Sequence, residues 1–147
     1  MYFAIDKNAM RVHISDADSN AHYKCPACGS PLTIKRGSIV AHHFSHKKRV
    51  QCDPVYASKM SLWHQNMQNK FPRIAQEIIV WNHNKSKFRI ADALISSNDG
   101  SYVFEFQHSS ISADEFISKS SFYLSLGHRV IWIFNFTDCC HPKCLFY

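Results

Sequence analysis

Between residues 77 and 134 the hydrophobic period of the chain changes in a fixed order, and that order narrows the fold more than any other feature. Glu77 to Trp81, Phe88 to Ser96 and Tyr102 to Gln107 read as strands. They are separated by the turn-forming stretches Asn82-His83-Asn84-Lys85 and Ser97-Asn98-Asp99-Gly100. Upstream, Met60, Trp63, Met67 and Phe71 recur at spacings of three and four, which predicts an amphipathic helix over 58–71 ended by Pro72. Downstream, Ser112-Ala113-Asp114-Glu115 has the form of a capping box. The Ser112 hydroxyl would accept from the Glu115 amide while the Glu115 carboxylate reaches back to the Ser112 amide. A helix to Leu126 follows, with Gly127 placed for the left-handed stop. Val130-Ile131-Trp132-Ile133-Phe134 has the composition of a buried strand. The expected order is helix, strand, strand, strand, helix, strand, an α/β core.

Two acids stand out within this frame. Alternation along a strand puts Val103, Glu105 and Gln107 on one face, so Glu105 and Gln107 project together. In the preceding strand Asp92 lies between Ala91 and Ala93, whose small side chains leave room for an ion and a phosphate. Carboxylates brought together from adjacent strands repel unless a cation lies between them, and hard oxygen ligands select Mg²⁺ or Mn²⁺. Such an ion polarises a scissile phosphate and lowers the pKa of an attacking water. Each acid also has a plainer explanation: Glu105 as the wet face of a half-buried strand, Asp92 as a surface acid near a turn. Their combination with the capped helix favours a metal-dependent phosphodiesterase site. Glu77 offers a third carboxylate or a surface strand acid.

The N-terminal part has a different character. Residues 2–15 suggest a small hairpin with Lys7-Asn8 as its turn. Cys25-x-x-Cys28, with Pro26 and Gly29 around it, is a knuckle able to hold one Zn²⁺ through two thiolates. The nearby His42-His43-Phe44-Ser45-His46 could complete a tetrahedral site, local spacing allowing His42 with His46. Cys52 is a rival fourth ligand, and a reduced pair of cysteines without metal is the plain alternative. Lys35-Arg36 and Lys47-Lys48-Arg49 flank the cluster and suit phosphate contacts that weaken with salt, or simply a solvated face. Cys139, Cys140, His141 and Cys144 near the end read as unliganded thiols or a partial site.

A formal charge of +6 over 147 residues favours an acidic partner, nucleic acid first. The start of the chain lacks the pattern of a secretory signal, and the run Val130 to Phe134 is too short to span a bilayer. The expectation is a soluble, cytoplasmic protein without membrane contact, whose six cysteines stay reduced or bind metal.

The segments Trp63-His64, Arg89-Ile90-Ala91-Asp92, Glu105-Phe106-Gln107-His108-Ser109-Ser110-Ile111-Ser112, Phe122-Tyr123 and Val130-Ile131-Trp132 resemble the nuclease domain of competence protein CoiA-like proteins, of the PD-(D/E)XK superfamily. Cys25-Pro26-Ala27-Cys28-Gly29 and His43-Phe44-Ser45-His46 belong to the same resemblance. It implies a restriction-endonuclease-like (PD-(D/E)XK) core over 53–147 behind a hairpin and zinc-knuckle lobe over 1–52. It implies Asp92 and Glu105 as ligands of Mg²⁺ or Mn²⁺, Gln107 at the position usually held by Lys, His64 as an active-site residue, and His43 with His46 completing a structural Zn²⁺ site with Cys25 and Cys28. The chain departs from the family in having Gln68 four residues after His64, and Lys119 rather than Arg before the Phe-Tyr pair. With Gln107 in the motif the cation must come from Lys70, Lys119 or His64. Packing beside Phe116 is the plainer account of Tyr123. The activity so implied is a metal-dependent DNA endonuclease, a monomer or weak homodimer, that nicks one strand per site. A catalytically inactive nucleic-acid-binding module of the same fold is the alternative, and a zinc-stabilised protein adaptor a third.

Overall fold

The computed structural model describes residues 1–37, 42–48, 52 and 61–135. Arg49, the start of the helix expected from 58, and the tail residues Cys139, Cys140, His141 and Cys144 lie outside the described residues. The chain is mixed α/β and divides into two compact units, Met1–Met60 and Ser61–Tyr147. No helix among the described residues is long and apolar enough to cross a membrane.

The first unit is a five-stranded sheet in the order β2-β1-β3-β4-β5, built from β1 (Phe3–Ile5), β2 (Arg11–His13), β3 (Tyr23–Lys24), β4 (Pro31–Lys35) and β5 (His43–His46). The expected hairpin is β1 with β2. Its turn is fixed by Asp6, whose Oδ1 accepts from the amides of Asn8 at 2.9 Å and Met10 at 2.8 Å. Phe3, Ala4, Tyr23, Leu32 and Phe44 form the buried interior. Strands β3 to β5 were not expected from the sequence, because runs of two to five residues are too short for alternation to emerge.

The second unit has the expected order of elements: α1 (Leu62–Gln68), β6 (Gln76–Trp81), β7 (Phe88–Ser97), β8 (Gly100–Gln107), α2 (Ala113–Ser125) and β9 (His128–Phe134). The sheet order is β6-β7-β8-β9, the first two pairings antiparallel and β8 with β9 parallel. A parallel neighbour needs a crossover, and α2 supplies it. Val80, Ala91, Val103 and Tyr123 make the core beneath α2.

Two local expectations are corrected. Ser61 caps α1 by accepting from the His64 amide at 3.2 Å, and the helix turns at Asn69 rather than running on to Pro72. Its buried residue is Gln68, not a member of the apolar stripe. In α2 the Ser112 hydroxyl accepts from the Glu115 amide at 3.2 Å, as a capping box requires. The Glu115 carboxylate, however, accepts from Arg89 Nη1 at 2.9 Å, and Arg89 Nη2 donates to Ser118 at 2.9 Å. A guanidinium is a stronger partner for a carboxylate than a backbone amide, so α2 is strapped to β7 instead of to its own start.

Candidate active site and metal centre

Strands β7 and β8 pair from Ser97 with Gly100 up to Ala93 with Phe104. Beyond that point the Phe106 amide donates at 2.7 Å to Oδ2 of Asp92 rather than to a β7 carbonyl. The Asp92 side chain thus takes over a ladder position, and its carboxylate stands beside the next residues of β8. Alternation along β8 turns Val103 and Glu105 toward α2, where Lys119 Nζ lies 2.6 Å from Glu105 Oε2. From α1, His64 Nε2 approaches Asp92 Oδ1 to 3.1 Å, and Gln68 Nε2 donates to the Asp92 carbonyl at 3.0 Å. Asp92, Glu105, His64, Lys119 and Gln68 are therefore one cluster, drawn from both helices and the two central strands.

Burial sets the electrostatics. Glu105 is 1% exposed, and removal from water together with the charge of Asp92 outweighs Lys119, pushing its pKa up to about 8. For Asp92 burial works in the same direction, but His64, Lys119 and the Phe106 amide prevail and hold it below the ordinary carboxylate range. Tyr123 is fully buried against Glu105, and burial and that carboxylate drive its phenol far above the usual value. Four buried side-chain atoms among the described residues make no hydrogen bond of good geometry: Gln68 Oε1, His64 Nε2, which faces Asp92 Oδ1 at 3.1 Å, and Glu105 Oε1 and Tyr123 Oη, whose side chains lie against each other. All four belong to this cluster. Buried polar atoms elsewhere in proteins are almost always well partnered, so poorly satisfied ones gathered in one place are what a site for a bound group would show.

The raised pKa of Glu105 has a consequence for stability without added divalent ion. Below an ordinary Glu pKa of ~4.3 both folded and unfolded chains hold the proton; above it the unfolded chain loses the proton while the folded one keeps it. Stability should fall as pH rises from ~4.3 to about 8, by on the order of a few kcal/mol, and then level off. Asp92 acts in a separate window, losing its contribution only as pH falls below ~3.9 through its depressed pKa. Urea melts across pH 5–8 should show this slope, and Glu105→Gln should flatten it.

The remaining expected residues fall differently. Gln107 Nε2 donates to the Ser109 carbonyl at 2.8 Å, so its side chain is tied to its own turn. Lys70 is exposed at the end of α1, and no described contact joins it to the acids. Glu77 is buried at φ 45°, between register partners that flank Asp92, Gln76 with Ala93 and Ile78 with Ala91. Such a backbone is unusual for a non-glycine residue. Lys119 and Tyr123, one helical turn apart, and Gln68, one turn after His64, were legible as polar positions on otherwise inward helix faces. Gln68 stands out in the sequence as a departure from the family pattern, and the packing expected of Tyr123 is what the core shows.

In the first unit Cys25, Cys28, His46 and Cys52 bring their ligand atoms within 4.8 Å of one another. The knuckle is closed by the Gly29 amide donating to the Cys25 carbonyl at 2.9 Å, with Gly29 at φ 70° in the region that glycine favours. Cys25 Sγ is 3.8 Å from Cys52 Sγ and Cys28 Sγ is 3.4 Å from His46 Nε2. Tetrahedral Zn–S bonds of ~2.3 Å place sulfurs ~3.8 Å apart, so the donor set fits zinc. The fourth member of this group is Cys52 and not the expected His43. Residues three apart on a strand point to opposite faces, so β5 cannot offer both His43 and His46 to one ion. The lowering of the Cys28 thiol to about 6 occurs despite burial, through bonds from Ser30, His46 and Cys52. Lys35, Lys47 and Lys48 are exposed. Arg36 is instead tied to the preceding loop, donating to Ser19 Oγ at 2.8 Å and the Ala17 carbonyl at 2.5 Å.

Two family models match the chain: Competence protein CoiA, N-terminal domain, over residues 7–54, and Competence protein CoiA, nuclease-like domain, over residues 84–142. No curated protein and no solved structure gives a significant match.

Proposed function

Because the chain belongs to the competence protein CoiA-like family, we propose that its second unit is a metal-dependent nuclease core of the PD-(D/E)XK kind that hydrolyses phosphodiester bonds in DNA. The observation carrying this reading is the pair of buried carboxylates, Asp92 and Glu105, gathered with His64, Gln68 and Lys119 into one polar cluster that the protein alone leaves poorly satisfied. The donor set suits a hard divalent cation: two carboxylates from neighbouring strands, with Glu105 Oε1 making no hydrogen bond of good geometry. Asp92 and Glu105 would hold Mg²⁺ or Mn²⁺, which when bound polarises the phosphate and lowers the pKa of water.

The protein residues have separable tasks. His64 and the Phe106 amide fix the orientation of Asp92 through its two carboxylate oxygens. Lys119, rather than Gln107, supplies positive charge beside Glu105, where it can steady a phosphate or the attacking water. Trp132 lies 5.6 Å from the Lys119 ammonium and helps to hold it. In the first unit, Cys25, Cys28, His46 and Cys52 would hold a structural Zn²⁺, while Lys35, Lys47 and Lys48 would contact phosphates without reading sequence.

Supercoiled plasmid tests the activity. With Mg²⁺ or Mn²⁺ the protein should produce relaxed circles before linear molecules, since one acidic cluster per chain cuts one strand per encounter. Raised salt should slow both cuts. Intact plasmid under all these conditions, with DNA still bound, would leave only a non-catalytic binding module, for which the tied side chain of Gln107 would then speak.

A further inference from the structure

Two aromatic residues adjoin, along the chain, the segments that carry the acid cluster. Trp63 immediately precedes His64, whose ring nitrogen lies 3.1 Å from Asp92. His108 follows Gln107, at the end of the strand that carries Glu105. The two rings meet with centroids 6.0 Å apart and an interplanar angle of 54°. Both are partly exposed. The backbone on each side is fixed, by the Ser61 cap at the start of α1 and by the bond from Gln107 to Ser109 across His108. Neither ring is needed for the core beneath α2, which is built from Val80, Ala91, Val103 and Tyr123.

Aromatic side chains beside a phosphate-binding centre stack nucleobases, and they do so without sequence preference because every base has a π-face. In a duplex both faces of each base are covered by its neighbours, so only an unpaired base can use such a surface. We infer that the exposed part of Trp63, buttressed by His108, stacks an unpaired base next to the phosphate that a cation at Asp92 and Glu105 would engage, which makes single-stranded nucleic acid the preferred substrate. The inference rests on the nuclease reading for the position of the phosphate, but its binding consequence is measurable without cleavage.

The test uses fluorescein-labelled oligothymidylate and the same strand annealed to its complement, with polarisation read on the zinc-loaded full chain without added Mg²⁺ or Mn²⁺. Trp63→Ala should weaken single-strand binding about tenfold, Trp63→Phe should retain most of it, and duplex binding should change less than twofold. Equal effects of Trp63→Ala on the two substrates, or none on the single strand, would overturn the inference. In a parallel reaction with Mn²⁺ the single strand should be cut faster than the duplex. Faster cutting of the duplex would also overturn it. Failure to cut either strand, with the binding difference preserved, would instead remove the nuclease reading and leave the stacking site standing.

Discussion

Asp92→Asn and Glu105→Gln should each lower divalent-metal-dependent cleavage about a thousandfold while leaving DNA affinity within severalfold. A ligand that helps a metal stabilise transition-state charge contributes several kcal/mol, and each ~1.4 kcal/mol is a factor of ten. Affinity survives because phosphate contacts from lysines, not the acids, hold the nucleic acid. The conservative replacements matter. Asp92→Ala would orphan the Phe106 amide and cost roughly 1–3 kcal/mol of stability, confusing folding with chemistry, whereas Asn keeps an acceptor at the position of Oδ2. Glu105→Gln likewise fills the same buried space beneath Lys119. Single-turnover cleavage of an end-labelled oligonucleotide, set beside polarisation binding, separates the two effects.

Cys25→Ser or Cys52→Ser should release zinc and unfold the first unit, while His43→Ala should do neither. Structural zinc contributes on the order of 10 kcal/mol at neutral pH, more than a small lobe of short strands has in reserve. His43 is the informative control, because the histidine spacing His43-Phe44-Ser45-His46 suggests it as a ligand and strand geometry excludes it. Zinc content by atomic emission, with hydrogen exchange at Tyr23, Leu32 and Phe44, reads both outcomes. Zinc retained at one ion per chain in Cys52→Ser would reject the three-cysteine, one-histidine centre.

The sequence disclosed the second unit far better than the first, and the reason is physical. Strands β7 and β8 and helix α2 are long enough for their periods of 2 and 3.6 to emerge, and turn residues mark their ends. Strands of two to five residues beside a cluster of cysteines and histidine are specified by tight turns and by that cluster rather than by alternation, so β3 to β5 left no periodic trace. Within the candidate site, Asp92 and Glu105 were legible as an acid pair because strand register is local. The nearby cation was legible only as one of Lys70, Lys119 and His64, since Lys119 reaches Glu105 once α2 crosses back over the sheet. Cys52 was legible as a rival to the histidines, but its place in the cluster, from a distant point of the chain, follows only from the fold.

The claim on which the rest depends is that Asp92 and Glu105 together hold a divalent cation. Isothermal titration of Mn²⁺ into zinc-loaded protein at pH 8 tests it without reference to any substrate. The account predicts saturable binding in the wild type, weakened as pH falls because Glu105 must give up its proton, and lost in both Asp92→Asn and Glu105→Gln. Mn²⁺ binding that is unchanged in both variants, or undetectable in a wild-type protein that is folded and zinc-loaded, would contradict it.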